Sequence, residues 1–493
     1  MKTENKKNNN IPIPEGWKMR TLGGLPYNVN NKILSQADNI EGWKTKMLGE
    51  VITLNTGKLD SNRAENNGSF PFFTCAPNPL KINSYAFNCD AILLAGNNAN
   101  GIFHINRYNG KFNAYQRTYV ITTANQNIDI DFLYYSLQLY LNYLKDISQG
   151  SATKFLTVKI LKDIKIDIPI DIKEQKQIAK ILSSLDDKIE LLREQNKTLE
   201  AIAQAIYKQW FVDFEFPIED ETSKLLSLKR GEPEGRGGFD NILQLKGYKS
   251  SGGKMVKSEL GEIPEGWRIG VLNDLCEKLE SGGTPPTSNE EYWNGEINWF
   301  STKELQDNFI FESKKKITKK GLENSSAKIY PKGSVVMAIY AAPTVGHLGL
   351  LGVDSTFNQA ACGFIADDKV ASNEFIYSFL LHSRNVFINL SNGAAQQNLN
   401  VGLVRNFKLI ISNNETMKKF NVFSKPIFLK ILNNFSQIQT LSALRDSLLP
   451  KLMSGKIRVP VKNEAETTTS AEGCHPSLTG GELKSENPQT EGE

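Results

Sequence analysis

The sequence repeats itself once, and this repeat restricts the possible folds more than any other feature. Gly42-Trp43-Lys44 opens the first copy and Gly266-Trp267-Arg268 opens the second. Matching positions lie about 224 residues apart at the start of the copies and about 243 apart later, where Val158 matches Val401. A tandem duplication predicts a pseudo-twofold molecule with two similar but non-identical surfaces. Such a shape suits a ligand with a twofold pseudosymmetry of its own, and duplex DNA is the commonest one.

The bulk properties fit a globular chain of two to four domains. The 493 residues carry a formal net charge of +4, which permits nucleic-acid binding without requiring it. The cysteines are scattered and form no C-x-x-C pair, which argues against structural zinc and for a reducing compartment. Residues 1–10 lack the apolar core of a secretory signal. These observations predict a cytoplasmic protein without a metal site.

One apolar segment, 333–353, is about as long as a membrane span. It contains Pro343, His347 and several glycines, and it begins with the β-branched pair Val335-Val336. These residues predict a strand, a loop and a second strand rather than a membrane helix.

Both copies have the pattern of β-rich units that also contain some helix. In the first copy, Asn100-Gly101 and Asn109-Gly110 predict turns between short strands. The elements expected there are strands at Ala91–Leu94 and Tyr119–Thr122 and a helix over 130–145. The elements expected in the second copy are strands near 334–340 and 360–366 and a helix over 373–390.

Each copy is followed by a long helical segment with an apolar seam spaced alternately by three and four residues. Each seam contains one asparagine, a polar seam residue of the kind that fixes the register of a coiled coil. The seam residues are Ile178, Leu182, Leu185, Ile189, Leu192, Asn196 and Leu199 in the first helix and Ile427, Ile431, Asn434, Ile438 and Leu441 in the second. Their matched lengths favour antiparallel pairing with each other over separate packing in two units.

Proline and glycine also bear on the second long helix. Pro426 predicts a bend in its early part or a later start. Pro450 and Gly455 predict its end.

The predicted fold class is α+β, with two β-rich domains in tandem and two long helices between and after them. The N-terminal arm includes an additional Gly16-Trp17 pair that resembles the openings of the two copies. The predicted division is an N-terminal arm (1–38), a first domain (39–170), a central helix (171–213), a connector (214–261), a second domain (262–412), a distal helix (413–456) and a disordered acidic tail (457–493).

The sequence lacks the motifs of a self-contained enzyme. Thr56-Gly57-Lys58-Leu59 lacks the upstream glycine and the following Ser or Thr of a phosphate-binding loop. The proline-containing segments 78–80 and 284–287 do not fit the Asn/Asp-Pro-Pro-aromatic loop of amino-methyltransferases. Over two full copies, these absences predict a chain without its own active site.

Basic and amide side chains occur in the predicted loops of both copies. Lys and Arg neutralise phosphates, whereas Asn and Gln can read adenine edges. The candidate DNA-binding residues are Lys58, Arg63, Arg107, Lys111, Arg117 and Lys154 in the first copy and Lys314, Lys315, Lys316, Lys319, Asn358, Gln359, Gln396, Gln397 and Asn398 in the second. Any one of them could instead be a solvated surface or turn residue, but the two sets together favour DNA contact.

Several short motifs stand out along the chain. They are EQKQIA (174–179), WFVDF (210–214), SELGEIPEGW (258–267), SGGTP (281–285), YWNG (292–295), WFS (299–301) and LLPKLMSG (448–455). These motifs resemble hallmarks of one family, the specificity subunits of type I restriction–modification systems. They occur in that family's order, and the resemblance covers about residues 39–460. The additional N-terminal Gly-Trp pair and the acidic tail depart from the family pattern.

The resemblance implies two target recognition domains, each reading one half of a split DNA sequence, and an antiparallel coiled coil that sets the gap between the half-sites. It implies no catalytic activity and no cofactor bound by this chain. The implied partners are double-stranded DNA, two methyltransferase subunits and two restriction–translocase subunits. Those partners would use S-adenosylmethionine to methylate adenine, and ATP with Mg²⁺ to translocate and cleave.

Two other functions remain open on the residues alone. The chain could be a protein-binding coiled-coil scaffold, which sequence-dependent footprints on DNA would distinguish from a DNA-reading protein. It could also be a self-contained DNA modification enzyme, which would bind S-adenosylmethionine as an isolated chain.

Overall fold

The longest elements are two α-helices of 40 residues each, the central helix (Ile172–Phe211) and the distal helix (Asn414–Met453). Their first turns have matching caps, because the Asp171 side chain accepts a hydrogen bond from Lys173 N at 2.8 Å and the Asn413 side chain accepts one from Thr416 N at 2.9 Å. Both helices agree with the predicted segments to within a few residues.

The distal helix runs through both of its prolines, which excludes a later start at Pro426, while the alternative, a bend there, stays a prediction. The helix begins at Asn414 with Pro426 in its interior, so the expected later start is wrong. The helix also continues through Pro450 to Met453, and Gly455, with φ +64°, follows its end. Leu452 is fully buried, so packing of the last turn outweighs the hydrogen bond that proline removes.

The computed structural model describes residues 18–19, 40–98, 103–148, 154–218, 247–340, 343–392 and 399–460. They fall into unit 1, residues 1–182 with 447–493, and unit 2, residues 183–446. Residues 1–17, 20–39 and 461–493, most of the predicted connector, and the predicted turn at Asn100-Gly101 lie outside the described residues.

Unit 1 is built around a sheet with the strand order β3-β9-β6-β8-β4-β5, in which β4 and β8 are parallel and the other neighbours antiparallel. The shorter pairs are β1 with β24, β2 with β11 and β7 with β10. The strands are β1 (Lys18–Met19), β2 (Trp43–Met47), β3 (Ile52–Thr56), β4 (Phe70–Phe73), β5 (Leu80–Ile82), β6 (Phe87–Ala95), β7 (Asn97–Asn98), β8 (Ile105–Ala114), β9 (Thr118–Thr123), β10 (Lys154–Phe155), β11 (Lys165–Pro169) and β24 (Ile457–Arg458). The other helices are Leu48–Val51, Ser61–Arg63 (3₁₀), Ile130–Ile147 and Val158–Lys162.

Unit 2 contains a sheet with the order β15-β22-β19-β20-β17 and a smaller one with the order β18-β16-β21. The strands are β12 (Met255–Ser258), β13 (Gly261–Pro264), β14 (Arg268–Val271), β15 (Cys276–Ser281), β16 (Trp293–Phe300), β17 (Asn308–Ile310), β18 (Lys315–Ile317), β19 (Val335–Ala338), β20 (Leu348–Leu351), β21 (Thr356–Phe357), β22 (Ala361–Ala366) and β23 (Lys408–Ile411). The other helices are Leu272–Leu275, Glu290–Tyr292 and Thr302–Glu304 (all 3₁₀), Lys319–Glu323, Asn373–His382, Arg384–Asn392 and Val401–Arg405.

The two units repeat one topology. The antiparallel order β3-β9-β6-β8 in unit 1 corresponds to β15-β22-β19-β20 in unit 2, and the pair β2–β11 corresponds to β14–β23. Gly42 and Gly266, which open the copies, have φ of +82° and +83°, a region that glycine enters without strain. The mixed α+β class and the tandem repeat predicted from sequence are therefore present in the fold.

The segments that carry the family resemblance contribute buried residues to the cores of both units. In unit 1, the Trp43 Nε1 group donates to the buried Glu174 carboxylate at 3.4 Å, and Arg458 binds the same carboxylate through Nε and Nη2 at 2.7 and 3.0 Å. In unit 2, Trp267 contacts Phe211 at 5.7 Å between ring centroids and stacks on Phe216 at 5.2 Å. The tryptophan of each Gly-Trp motif is thus packed within its own unit.

In unit 2, the central and distal helices pack antiparallel. Asn434 Nδ2 donates to Asn196 Oδ1 at 2.8 Å, and Arg445 pairs with Asp186 at 2.7 Å. The residue numbers of the contacts therefore increase along one helix and decrease along the other. Most of the predicted seam is buried; Leu185, Leu199 and Leu441 are half-buried. Ile189, Leu192 and Ile438 form a cluster beside the asparagine pair.

Several local predictions are confirmed and two are wrong. The segment 333–353 forms β19 and the antiparallel β20, as expected. Asn109-Gly110 is not a turn, because β8 runs through it and pairs with β6 along most of its length. The helix expected over 373–390 is two helices that meet at Ser383, and the next residue, Arg384, donates from Nε to Gly346 O at 2.9 Å.

Candidate nucleic-acid interface

Three of the predicted cations of unit 1 gather at one end of its sheet. Lys58 follows β3, Arg117 precedes β9, and Lys154 lies in β10. Main-chain hydrogen bonds join these elements, since Gly96 N donates to Arg117 O at 2.7 Å and Leu156 N donates to Gly96 O at 2.8 Å. Lys58 and Arg117 are exposed and Lys154 is half-buried. We call Lys58, Arg117 and Lys154 the sheet-end cations.

A glycine sets the path of the loop at this end in both units. A Cβ at Gly57 would lie 1.8 Å from Ala114 O, and one at Gly282 would lie 2.1 Å from Phe357 O. No side chain fits in either place, so the loop after the first strand passes close to the end of β8 in unit 1 and of β21 in unit 2 only because the residue is glycine. The same close approach therefore presents Lys58 in unit 1 and Thr284 in unit 2.

The other cations predicted in unit 1 have separate surroundings. Arg63 is exposed on the 3₁₀ turn Ser61–Arg63, and the Lys111 ammonium lies 4.8 Å from the centre of the exposed Tyr85 ring. The sequence did not predict a role for Tyr85, because isolated aromatic residues are common in β-rich chains.

Arg107 is held by two carboxylates of its own unit. Its Nε lies 2.7 Å from Asp131, and its Nη1 pairs with Asp90. Burial acts to lower the pKa of Arg107, but the hydrogen bonds and charges of Asp90 and Asp131 outweigh it and raise the pKa. The guanidinium charge is already neutralised, so this residue does not join the sheet-end cations.

In unit 2, amide and aromatic groups surround the loop that follows β15. The Thr284 hydroxyl donates to Gln359 Oε1, and the Trp299 indole donates to Gly283 O at 2.9 Å. The Lys315 ammonium lies 5.5 Å from the centre of the Trp293 ring. Asn358 is half-buried and its Oδ1 has no hydrogen-bond partner among the described residues.

The lysine cluster predicted for unit 2 is divided between two elements. Lys315 and Lys316 lie on β18, whereas Lys319 and Lys320 lie on the helix Lys319–Glu323. Lys316 pairs with Glu312 at 3.1 Å and Lys320 pairs with Glu291. The exposed Lys314 uses its main-chain N–H to bind Glu304 at 2.8 Å.

Gln396, Gln397 and Asn398 lie outside the described residues. The residue that follows them, Leu399, donates its N–H to Ile339 O at 2.9 Å. This bond corresponds to the one between Leu156 and Gly96 in unit 1. Leu399 therefore lies at the same end of its sheet as the sheet-end cations do in theirs.

The structure defines a duplicated α+β protein with basic or amide side chains at one sheet end of each unit. The model of the family "Type I restriction modification DNA specificity domain" matches residues 40–201 and 264–445. The chain belongs to this family of type I restriction–modification specificity domains. The double match confirms both the duplication and the resemblance found in the sequence.

Named relatives agree with this assignment, and one solved structure has a similar fold. The chain is 35% identical over 269 residues to the type I restriction enzyme EcoDI specificity subunit of Escherichia coli, covering 53% of this chain and 56% of that relative. It is 30% identical over 346 residues to the HindI specificity subunit of Haemophilus influenzae, covering 64% and 74%. The fold resembles that of a type I S subunit from M. genitalium, with a TM-score of 0.53 and 14% identity over 87% of this chain and 98% of the other.

Among the described residues, no helix is long and apolar enough to cross a membrane.

Proposed function

We propose that this chain is the non-catalytic subunit that gives a type I restriction–modification complex its DNA sequence specificity, and that it reads a bipartite, asymmetric site. The observation that carries the proposal is one sheet topology present twice with different side chains at the same sheet end. Unit 1 presents the sheet-end cations beside Gln116, whereas unit 2 presents Thr284 beside Gln359. Two such surfaces bind similar DNA backbones but different bases.

The residues at these surfaces divide by chemistry into two roles. The sheet-end cations, with Lys314 and Lys315 of unit 2, would contact phosphates and supply affinity without sequence information. Asn358 and Gln359, with Gln396, Gln397 and Asn398, would contact base edges, because amides can donate and accept at once.

The two long helices would form an antiparallel coiled-coil spacer between the recognition domains. The buried Asn196–Asn434 hydrogen bond in unit 2 supports this role, because a polar pair in an apolar seam fixes register. A helix of 40 residues spans about 60 Å at 1.5 Å per residue. The gap between the half-sites would then follow from helix length.

Chemistry would be supplied by partners. The complex would contain two methyltransferase subunits that use S-adenosylmethionine to methylate adenine and two restriction–translocase subunits that use ATP and Mg²⁺. This chain would bind none of these cofactors and would act in the cytoplasm with DNA.

Co-expression with the cognate methyltransferase, followed by genome-wide mapping of methylated adenine, tests the proposal. A single split motif, methylated on both strands and lost when this chain is omitted, is the expected result. Absence of any motif that depends on this chain, with both proteins present and associated, would overturn it.

A further inference from the structure

Each unit carries a glutamine two residues before the strand that is second in the spatial order of its sheet. Gln116 precedes β9 and Gln359 precedes β22, and the two positions match at the later repeat offset. Both side chains are exposed. Their immediate neighbours differ, since Arg117 follows the first glutamine and Ala360 follows the second. One feature of the sequence could have indicated a role for Gln116, because this residue matches Gln359 across the repeat.

In unit 1, the glutamine is held by the loop that follows β3. Gln116 Nε2 donates to Asp60 Oδ1 at 2.6 Å, and Gln116 N donates to Leu59 O at 2.9 Å. An ionised carboxylate can only accept, so this contact fixes which end of the amide faces Asp60. The amide oxygen and one amide hydrogen remain for a ligand, and this pairing matches N6 and N7 of adenine.

In unit 2, the loop that follows β15 holds the glutamine through the opposite end of its amide. The Thr284 hydroxyl donates to Gln359 Oε1, and Gly283 N donates to Phe357 O at 2.9 Å, which keeps the loop beside the strand. Both amide hydrogens of Gln359 are then available. The same residue type at the same place therefore offers different hydrogen-bonding groups in the two units.

We infer that Gln116 and Gln359 are base-reading residues, one for each half of the DNA site, and that Gln116 reads an adenine. The inference rests on the proposed function and names residues that determine its specificity. Asp60 and Thr284 are positioning residues: each restricts its glutamine before DNA arrives, so less side-chain freedom is lost on binding. Lys58 and Arg117 flank the first contact and would hold the phosphates beside it.

The test uses the full chain with its cognate methyltransferase and reads the methylated motif at single-nucleotide resolution. Gln116→Ala is expected to relax one position of one half-site, where the unsubstituted chain requires adenine, and Gln359→Ala to relax one position of the other half-site. Removal of a bidentate hydrogen-bonded pair corresponds to about 10- to 100-fold less discrimination at that position.

Further variants test positioning. Asp60→Ala and Thr284→Val should relax the same positions as the corresponding glutamine variants, whereas Thr284→Ser, which keeps the hydroxyl, should leave the motif unchanged. Gln126→Ala is the matched control, because Gln126 is an exposed glutamine that follows the opposite end of β9.

A motif unchanged at every position in Gln116→Ala would overturn the inference, and so would an equal loss of methylation at all sites with an unchanged melting temperature. A relaxed position that is a G·C pair in the original motif would overturn the adenine assignment. If the unsubstituted chain yields no split motif, the proposed function itself fails, which is a different result from a motif that ignores the glutamines.

Discussion

At the scale of single residues, the partners of a cation decide what it can do. Arg107 and Lys58 are both basic residues that the sequence places near strands, and they were equivalent candidates on that basis. Asp90 and Asp131 bind Arg107, whereas Lys58 is exposed at the sheet end. Those two carboxylates lie 17 and 24 residues from Arg107 in the chain, so no local pattern reveals the difference.

The sheet-end cations should contribute to affinity through salt-dependent phosphate binding. We expect Lys58→Ala and Arg117→Ala each to lower the slope of log affinity against log salt concentration by about 0.9 for every phosphate that the variant no longer neutralises. The preferred sequence should stay the same, because phosphate contacts carry no base information. Titrations of specific and random DNA at several salt concentrations, with the chain in its methyltransferase complex, measure the slope.

Lys320→Ala is the control for these titrations, because Glu291 already pairs with that ammonium. An unchanged slope for Lys58→Ala and Arg117→Ala, or a loss of affinity confined to specific DNA, would contradict the assigned role.

Glu200 should make unit 2 less stable as the pH rises through the neutral range. It lines a cavity of about 210 Å³ with Arg193, Lys197 and Asp307. Burial, and secondarily the charge of Asp307, raise the pKa of Glu200 to about 7. Because the folded state holds this proton more tightly than the unfolded state, where the pKa is about 4.3, stability falls between those pH values.

Glu200→Gln removes this penalty by replacing the carboxylate with a neutral group of the same shape. We expect a gain of about 1–2 kcal/mol at pH 8, reduced from the full shift because the group is partly solvated, and little change at pH 5. Urea denaturation at the two pH values measures the gain, with the exposed Glu194→Gln as the control. Equal gains at both pH values would be inconsistent with titration of Glu200.

At the scale of elements, the long helices could be predicted closely, whereas the strand connections could not. Caps at Asp171 and Asn413 and an unbroken seam are local signals, and the helix bounds follow from them. The Asn109-Gly110 turn failed because pairing with β6 holds β8 extended, and the break at Ser383 accompanies the contact of Arg384 with Gly346, 38 residues away. Contacts of this kind are set by tertiary structure.

The two paired helices match each other in length and start, but the side chains in their seam do not match. Both helices have 40 residues and matching starts, so Asn196 corresponds to Ile438 and Asn434 corresponds to Leu192. The polar layer Asn196–Asn434 therefore has an apolar counterpart, Leu192 with Ile438. This single polar layer favours one register of the two helices. A shift of one helix along the other would bury an asparagine against an apolar residue.

Removing this layer one residue at a time should differ from removing both. Asn196→Leu leaves Asn434 buried without its partner and should cost about 1–3 kcal/mol. The double variant Asn196→Leu, Asn434→Ile copies the Leu192–Ile438 layer and should recover that loss. A double-mutant cycle by urea denaturation measures the coupling, and additive losses would show that the two asparagines do not act as a pair.

At the scale of the whole molecule, the duplication gives two units the same topology, and each unit carries its own set of surface side chains. The shared topology keeps the loop after the first strand at the same sheet end in both units, as Gly57 and Gly282 require. The side chains on that loop and beside it are free to differ, because they contribute little to either core. On the proposed function, two recognition surfaces can therefore diverge in sequence preference while the helices keep a constant length.

Helix length should determine the gap between the two half-sites. Deleting residues 189–195 and 435–441 removes one heptad from each helix, and the deleted segments face each other in the antiparallel pair, so Asn196 and Asn434 remain in register. Seven residues correspond to about 10 Å of helix, or about 3 bp of DNA, so the methylated motif should keep both half-sites with a gap shorter by about that amount. Duplicating the same heptads should lengthen the gap to a similar extent. Genome-wide methylation mapping gives the gap directly, and a motif with the original gap in both variants would rule out the helices as its determinant.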